Sequence, residues 1–313
     1  MFTTYCSDMI KLGTFYSVSI CLLLLASVPS FAQKTNLNKE TTATLTHLED
    51  SLVVLADSMI NAPVNDDRID YCVRFTKDLR RAMQIPNSFQ YPFTKLATKI
   101  HIIYPDDKSF RIFNWLIAPS EDLRRYYGAV QLNSEDPKFY PLMDGSADFS
   151  GDIETQTLDN KHWYGCEFYK IMDQNVQGQK MYLLFGFNSN GPSSNKKMID
   201  VLSFNENGLT LGAPIFLMPD LSGQRMMRKD RVVLEYKKTA QIYLNYDAER
   251  KMIIFNRLAS EVTDPNRKST YIPTGQMDGL RWQGDTYQFV KDAIPVLKLQ
   301  DGQAPIDGVM KGG

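Results

Sequence analysis

The sequence predicts a mainly β protein: an antiparallel β-meander, sandwich or propeller-like, preceded by an N-terminal pair of α-helices. Three observations predict it. From about residue 96 the apolar residues fall in short strand-like runs rich in isoleucine, valine and aromatics. The segments between those runs are short, which favours antiparallel neighbours over parallel crossovers that need a dozen or more residues. Ahead of them, two segments repeat apolar residues at spacings of three and four, which marks one face of an amphipathic helix.

The chain opens with a segment that reads as a secretory signal peptide over residues 1–32. Lys11 supplies its positive end, and residues 15–28, centred on Ile20-Cys21-Leu22-Leu23-Leu24-Leu25, supply its apolar middle. Ser30-Phe31-Ala32 places small residues where a signal peptidase reads, so Gln33 is expected to begin the mature protein. The apolar run is too short for a membrane span of roughly 20 residues. No later stretch is apolar enough to cross a bilayer, so no transmembrane span is expected after signal cleavage. No cysteine follows the run to carry a lipid anchor.

Residues 33–95 read as an N-terminal helical segment. Its first part, residues 33–44, is polar and threonine-rich and reads as a loose leader. Leu45, Leu48, Leu52, Leu55 and Met59 then share one helix face, stopped by Asn61-Ala62-Pro63. Cys72, Phe75, Leu79 and Met83 mark a second helix, with Asn65 or Asp66 available as its cap and Pro86 at its end.

Residues 96–292 read as the antiparallel β domain. Strands are expected at residues 99–104 and 110–117, joined by a turn at Pro105-Asp106-Asp107. Others are expected at 127–132, 163–172, 181–187, 198–204, 232–236, 241–246 and 252–255. Gln283-Gly284-Asp285 joins Trp282 to Tyr287 as a tight hairpin, with the glycine taking positive φ. Met181-Tyr182-Leu183-Leu184-Phe185 and Ile100-His101-Ile102-Ile103-Tyr104 lack a wet alternate set. Both faces of the central strands are therefore expected to be covered, by stacked blades or by a sandwich roofed by the helices. Residues 293–313 read as a flexible tail.

The formal net charge of -1 gives no reason to expect nucleic acid, which asks for a basic surface. Removal of the signal would take Cys6 and Cys21 with it and leave Cys72 and Cys166. An oxidising compartment permits a disulfide between these two, and two buried free thiols are the alternative.

An ordered series of segments spanning roughly residues 65–292 resembles a family of uncharacterised exported proteins of Bacteroidota. The likeness is carried by Phe110-Arg111-Ile112-Phe113-Asn114-Trp115, Trp163-Tyr164-Gly165 and Met181-Tyr182-Leu183-Leu184-Phe185-Gly186-Phe187. Lys196-Lys197-Met198-Ile199-Asp200-Val201-Leu202-Ser203-Phe204, Tyr246-Asp247, Met252-Ile253-Ile254-Phe255 and residues 279–290 continue it. The family pattern often has tryptophan and aspartate where this chain has Phe187 and Asn188, and a small residue where it has Cys166. The resemblance implies an exported β domain in the periplasm or at the cell surface of a Gram-negative bacterium. It implies no catalytic residue.

Motifs with their own chemistry are few. His47, His101 and His162 show no metal-helix spacing, and neither a Gly-x-Ser-x-Gly elbow nor a phosphate-cradling Gly-Lys-Ser/Thr loop occurs. Asp144, Asp148 and Asp152 alternate through an acidic loop that offers the hard oxygens calcium takes. The helix-loop-helix calcium pattern fails there, because Phe149 holds the glycine position and Thr155 the closing-glutamate position. Asp144, Asp148, Asp152, Asp200 and Glu235 are the acids from which a two-carboxylate hydrolase would draw. Trp115, Tyr126, Tyr127, Trp163, Tyr164 and Trp282 lie in or beside strands, where an exposed ring makes a platform for a sugar or peptide. Arg124 and Arg125 could clamp a carboxylate beside them.

The expectation is a non-catalytic, exported β-rich protein that binds an envelope protein or glycan without a cofactor. A carboxylate-dependent hydrolase of envelope glycan or peptide is the alternative, and a purely structural envelope component a third.

Overall fold

In the computed structural model, residues 37–120, 122–189, 191–220 and 222–295 are described. The expected signal peptide and the tail beyond residue 295 lie outside them.

Helix α1 spans Lys39–Asn61 and therefore begins inside the segment expected to be a loose leader. Asn38 caps it, its side chain accepting from the Thr41 amide at 2.7 Å. Thr42, Thr44 and Thr46 return their hydroxyls to carbonyls four residues back at 2.9, 3.0 and 2.8 Å. A threonine-rich run thus satisfies itself within a helix. Helix α2 spans Asn65–Met83; neither Asn65 nor Asp66 caps it, because Val64 holds the N-cap position. Asp66 and Asp67 instead place negative charge at the positive end of the helix dipole. Arg68 braces the corner, donating to the Ala62 carbonyl at 2.6 Å and the Ala118 carbonyl at 3.0 Å.

The first sheet is a four-strand meander, β1 His101–Ile103, β2 Phe110–Ile117, β3 Arg125–Leu132 and β4 Phe139–Met143. The chain then forms β5 Leu158–Asp159, β6 Glu167–Val176, β7 Gln179–Asn188, β8 Ser194–Asn205 and β9 Gly208–Leu211. These pair in the order β5-β9-β8-β7-β6 as the second sheet. Next come β10 Phe216–Pro219 and β11 Met226–Lys229; β12 Val232–Lys237 returns to pair with β8. The remaining strands are β13 Leu244–Asp247, β14 Met252–Ser260, β15 Tyr271–Trp282 and β16 Tyr287–Ile294. With β10 and β11 they make the third sheet, in which the β10–β16 pair is parallel.

The layers follow from the period of two along each strand. Phe113, Trp115 and Ile117 of β2 join the two helices in one core, while Phe110 and Ile112 face the second sheet. In β7, Tyr182 and Leu184 face the first sheet and Leu183 and Phe185 the third. The central strands are thus covered on both faces, as their doubly apolar composition requires. Helices and sheets belong to one compact unit, so the helical segment and the β domain share a core. The expected hairpin is present, with Gly284 at φ 96° and Trp282 paired with Tyr287.

Several strands are not those expected from sequence. Residues 96–98 form a short 3-10 turn, so the first strand begins only at His101. Residues 163–166 precede β6, and Trp163 forms only an isolated bridge with Asp144. Strand β15 carries Pro273, Gly275 and Gly279, which mask it in the sequence. Gly279 is needed there, since a Cβ would lie 2.9 Å from the Ala293 side chain and 3.0 Å from the Ile253 carbonyl.

Candidate functional site

The aromatic residues expected to form a platform are largely core. Trp115, Tyr126 and Trp163 are 4%, 1% and 0% exposed. Trp115 meets Phe75 edge-on at 5.0 Å and stacks on Tyr127 at 5.7 Å, under the helices. Trp163 packs against Phe168 between the first two sheets, and Tyr164 lies beside Phe149. Trp282 is half-buried beside Tyr287 in the third core. The reason is the layering: once both faces of a strand are covered, both alternate sets become interior. The structure does bring Trp115, Tyr126 and Tyr127 together with Arg124, Arg125 and Asp144 around one hollow of 510 Å³. Trp163, Tyr164 and Trp282 do not line it.

The acidic residues are similarly committed. Asp144 accepts from the Ser146 amide at 3.0 Å and from the Gly165 and Tyr126 amides at 3.2 Å. Asp152 caps a short 3-10 turn through the Glu154 amide at 2.9 Å, and Asp148 is exposed. Among the described residues no three His, Cys, Asp or Glu side chains gather to hold a metal, and the three aspartates of this loop do not converge. Asp200 is sealed against Arg231. Glu235 accepts from the Ser194 hydroxyl at 2.5 Å and lies 3.7 Å from Lys196 Nζ. Asp152 and Glu235 edge one groove; of its cations, Lys229 pairs with Glu154, Arg257 with Asp278 and Lys196 with Glu235, while Lys268 lies over the Tyr271 ring, 4.7 Å from its centre. Cys72 and Cys166 are both buried free thiols, one in the helix–sheet core and the other between sheets, and form no disulfide.

Another cavity lies at one end of the second sheet. It encloses 570 Å³, within the range of small-ligand sites. Its floor is a row of three residues in register on adjacent strands: Glu167 of β6 opposite Phe187 of β7, and Phe187 opposite Lys197 of β8. Residues paired in this way point to the same side of a sheet. Tyr169 and Tyr236 add aromatic walls, and the segment from Lys238 to Ile242 crosses above. His101 reaches in from the edge strand β1, its Nε2 3.8 Å from Glu167 Oε1. Glu167 and His101 also line a neighbouring hollow of 290 Å³, so this pair stands on the wall between two cavities.

Burial shifts several charged groups of this cleft. Burial pushes the Glu167 carboxyl above the usual glutamate range, with the His101 imidazole opposing. Its side chain is 24% exposed. Burial likewise pushes the Lys197 ammonium below the usual lysine range. Lys197 Nζ lies over the Tyr169 ring, 5.5 Å from its centre, and makes no ion pair among the described residues. Lys238 is also lowered by burial, with Arg124 adding repulsion; its ammonium donates to the Ser189 and Gly191 carbonyls at 2.7 and 3.0 Å. Tyr169 is pushed upward by burial, and its hydroxyl donates to the Leu244 carbonyl at 2.8 Å.

Sequence reasoning considered His101 alone and passed over Glu167 and Lys197. A signal was present: Lys197 shares its alternate set in β8 with Ile199 and Val201, both fully buried. A charge standing in an inward-facing set marks a site where burial has been accepted for another purpose.

No family model, curated protein or solved structure gives a significant match to this chain.

Proposed function

We propose that this protein is a non-catalytic binding protein of the cell envelope, and that the cleft over Glu167, Phe187 and Lys197 takes a small organic anion. The observation that carries this reading is Lys197: a lysine lowered by burial, held over an aromatic ring, with no carboxylate paired to it among the described residues. A desolvated cation is a standing cost that an incoming carboxylate or phosphate removes. The aromatic walls offer apolar contact for the body of such a ligand. The signal-peptide pattern of residues 1–32 and the likeness to exported Bacteroidota proteins support the envelope location. The two-carboxylate hydrolase draws less support, because Asp144, Asp200 and Glu235 are each tied up in structural bonds.

Titration calorimetry with aromatic carboxylates, their neutral amides and inorganic phosphate tests the reading. An anion should bind, its amide should not, and Lys197→Met should abolish binding without lowering the melting temperature. Equal binding of acid and amide, or no binding of any anion, would overturn it. Export is tested by fusing residues 1–32 to a reporter; intact precursor retained in the cytosol would refute it.

A further inference from the structure

The register of the floor places Glu167 and Lys197 on one face of three adjacent strands, with Phe187 between them. Strands about 4.8 Å apart put their Cα atoms about 10 Å from each other. Both side chains are half-buried, and no ion pair joins them among the described residues. Among the described residues the carboxyl has only the imidazole at 3.8 Å, and the ammonium only the face of Tyr169. Pairs elsewhere in the protein show the contrast: Lys229 meets Glu154 at 2.6 Å, and Lys180 meets Asp107 at 2.6 Å. Two opposite charges held apart across an aromatic ring are complementary to a molecule bearing the same two charges in reverse order.

We infer that the ligand is zwitterionic: a short peptide with free termini that lies across Phe187, its ammonium on Glu167 and its carboxylate on Lys197. This rests on the anion-binding reading and deepens it by assigning the other pole. Tyr169, Tyr236, Phe187 and Ile242 line the space beside this peptide and suit an apolar side chain. His101 sits behind the carboxyl, its Nε2 3.8 Å from Glu167 Oε1.

The test uses the full chain and three matched probes in titration calorimetry: alanyl-phenylalanine, its N-acetyl form and its C-terminal amide. The free dipeptide should bind, and either modification should weaken binding at least about tenfold, a difference near 1.4 kcal/mol. Glu167→Gln should erase the preference over the N-acetyl form, and Lys197→Met the preference over the amide. The comparison among probes needs only the wild-type protein, so a variant that fails to fold leaves it intact. If the N-acetyl form binds as well as the free dipeptide, the ammonium subsite is wrong while the anion site stands. If none of the three binds, and no simple carboxylate or phosphate does, both readings fall.

Discussion

Arg231 Nε stands 3.3 Å from Asp200 Oδ2, with side chains 0% and 1% exposed, in an ion-pair contact without aligned hydrogen-bond geometry. The remaining donors of the guanidinium hold the carbonyls of Ile153, Gln156 and Leu211. Asp200 also accepts from the Val201 amide at 2.8 Å. One buried cation thus ties the 153–156 turn to β9 and to the middle of β8. Asp200→Ala leaves that cation unneutralised and should cost about 3–5 kcal/mol in urea unfolding. Replacing both residues by apolar side chains of similar volume should cost less than the single change. A single mutant that melts like wild type would refute the role.

Trp115→Ala should destabilise by about 3–5 kcal/mol, because it removes a ring packed between Phe75 and Tyr127. Any loss of binding in that variant must therefore be compared with its loss of stability. Unchanged thermal melting would show that the helices do not lean on this ring.

Glu167→Gln should stabilise the protein at neutral pH by about 0.5–2 kcal/mol, the usual exchange of site chemistry for stability. The sign follows from the raised pKa. A carboxyl whose folded-state pKa lies above its unfolded value stabilises the fold when protonated, and that contribution is lost as pH rises through the folded value. The advantage of glutamine should therefore shrink as the pH falls toward the ordinary glutamate value of 4.5. The comparison is a set of denaturant curves on both proteins at several pH values. An advantage that grows on acidification would contradict the burial of this group.

Gly186→Ala should cost about 1–3 kcal/mol by overpacking. A Cβ at this position would lie 2.6 Å from Cys166 Sγ. In a Cys166→Ala background the same change should cost less, with a coupling of about 0.5–3 kcal/mol in a double-mutant cycle. Additive effects would show that the thiol is not what the glycine avoids.

Much of the fold was legible from residue pattern because burial imposes a period. The apolar faces of α1 and α2, the double covering of β7, and the Gly284 hairpin each follow from local spacing. The starts of the helices were less legible, since Asn38 and Val64 hold the cap positions only once the chain is placed. The parallel contact of β10 with β16 joins residues some 70 positions apart, Phe216 with Tyr287, and no local period encodes such a pairing.

The site divides in the same way. Composition and order already dictated a layered β protein, because strands apolar on both sides must be covered on both sides. Whether a given ring or charge ends in a core, an ion pair or a cleft depends on which strands become neighbours. Trp115 and Trp163 became interior because a layer closed over each of them. Glu167 and Lys197 became a pair of waiting charges because β7 lies between their strands in register, a relation between distant segments that only packing creates.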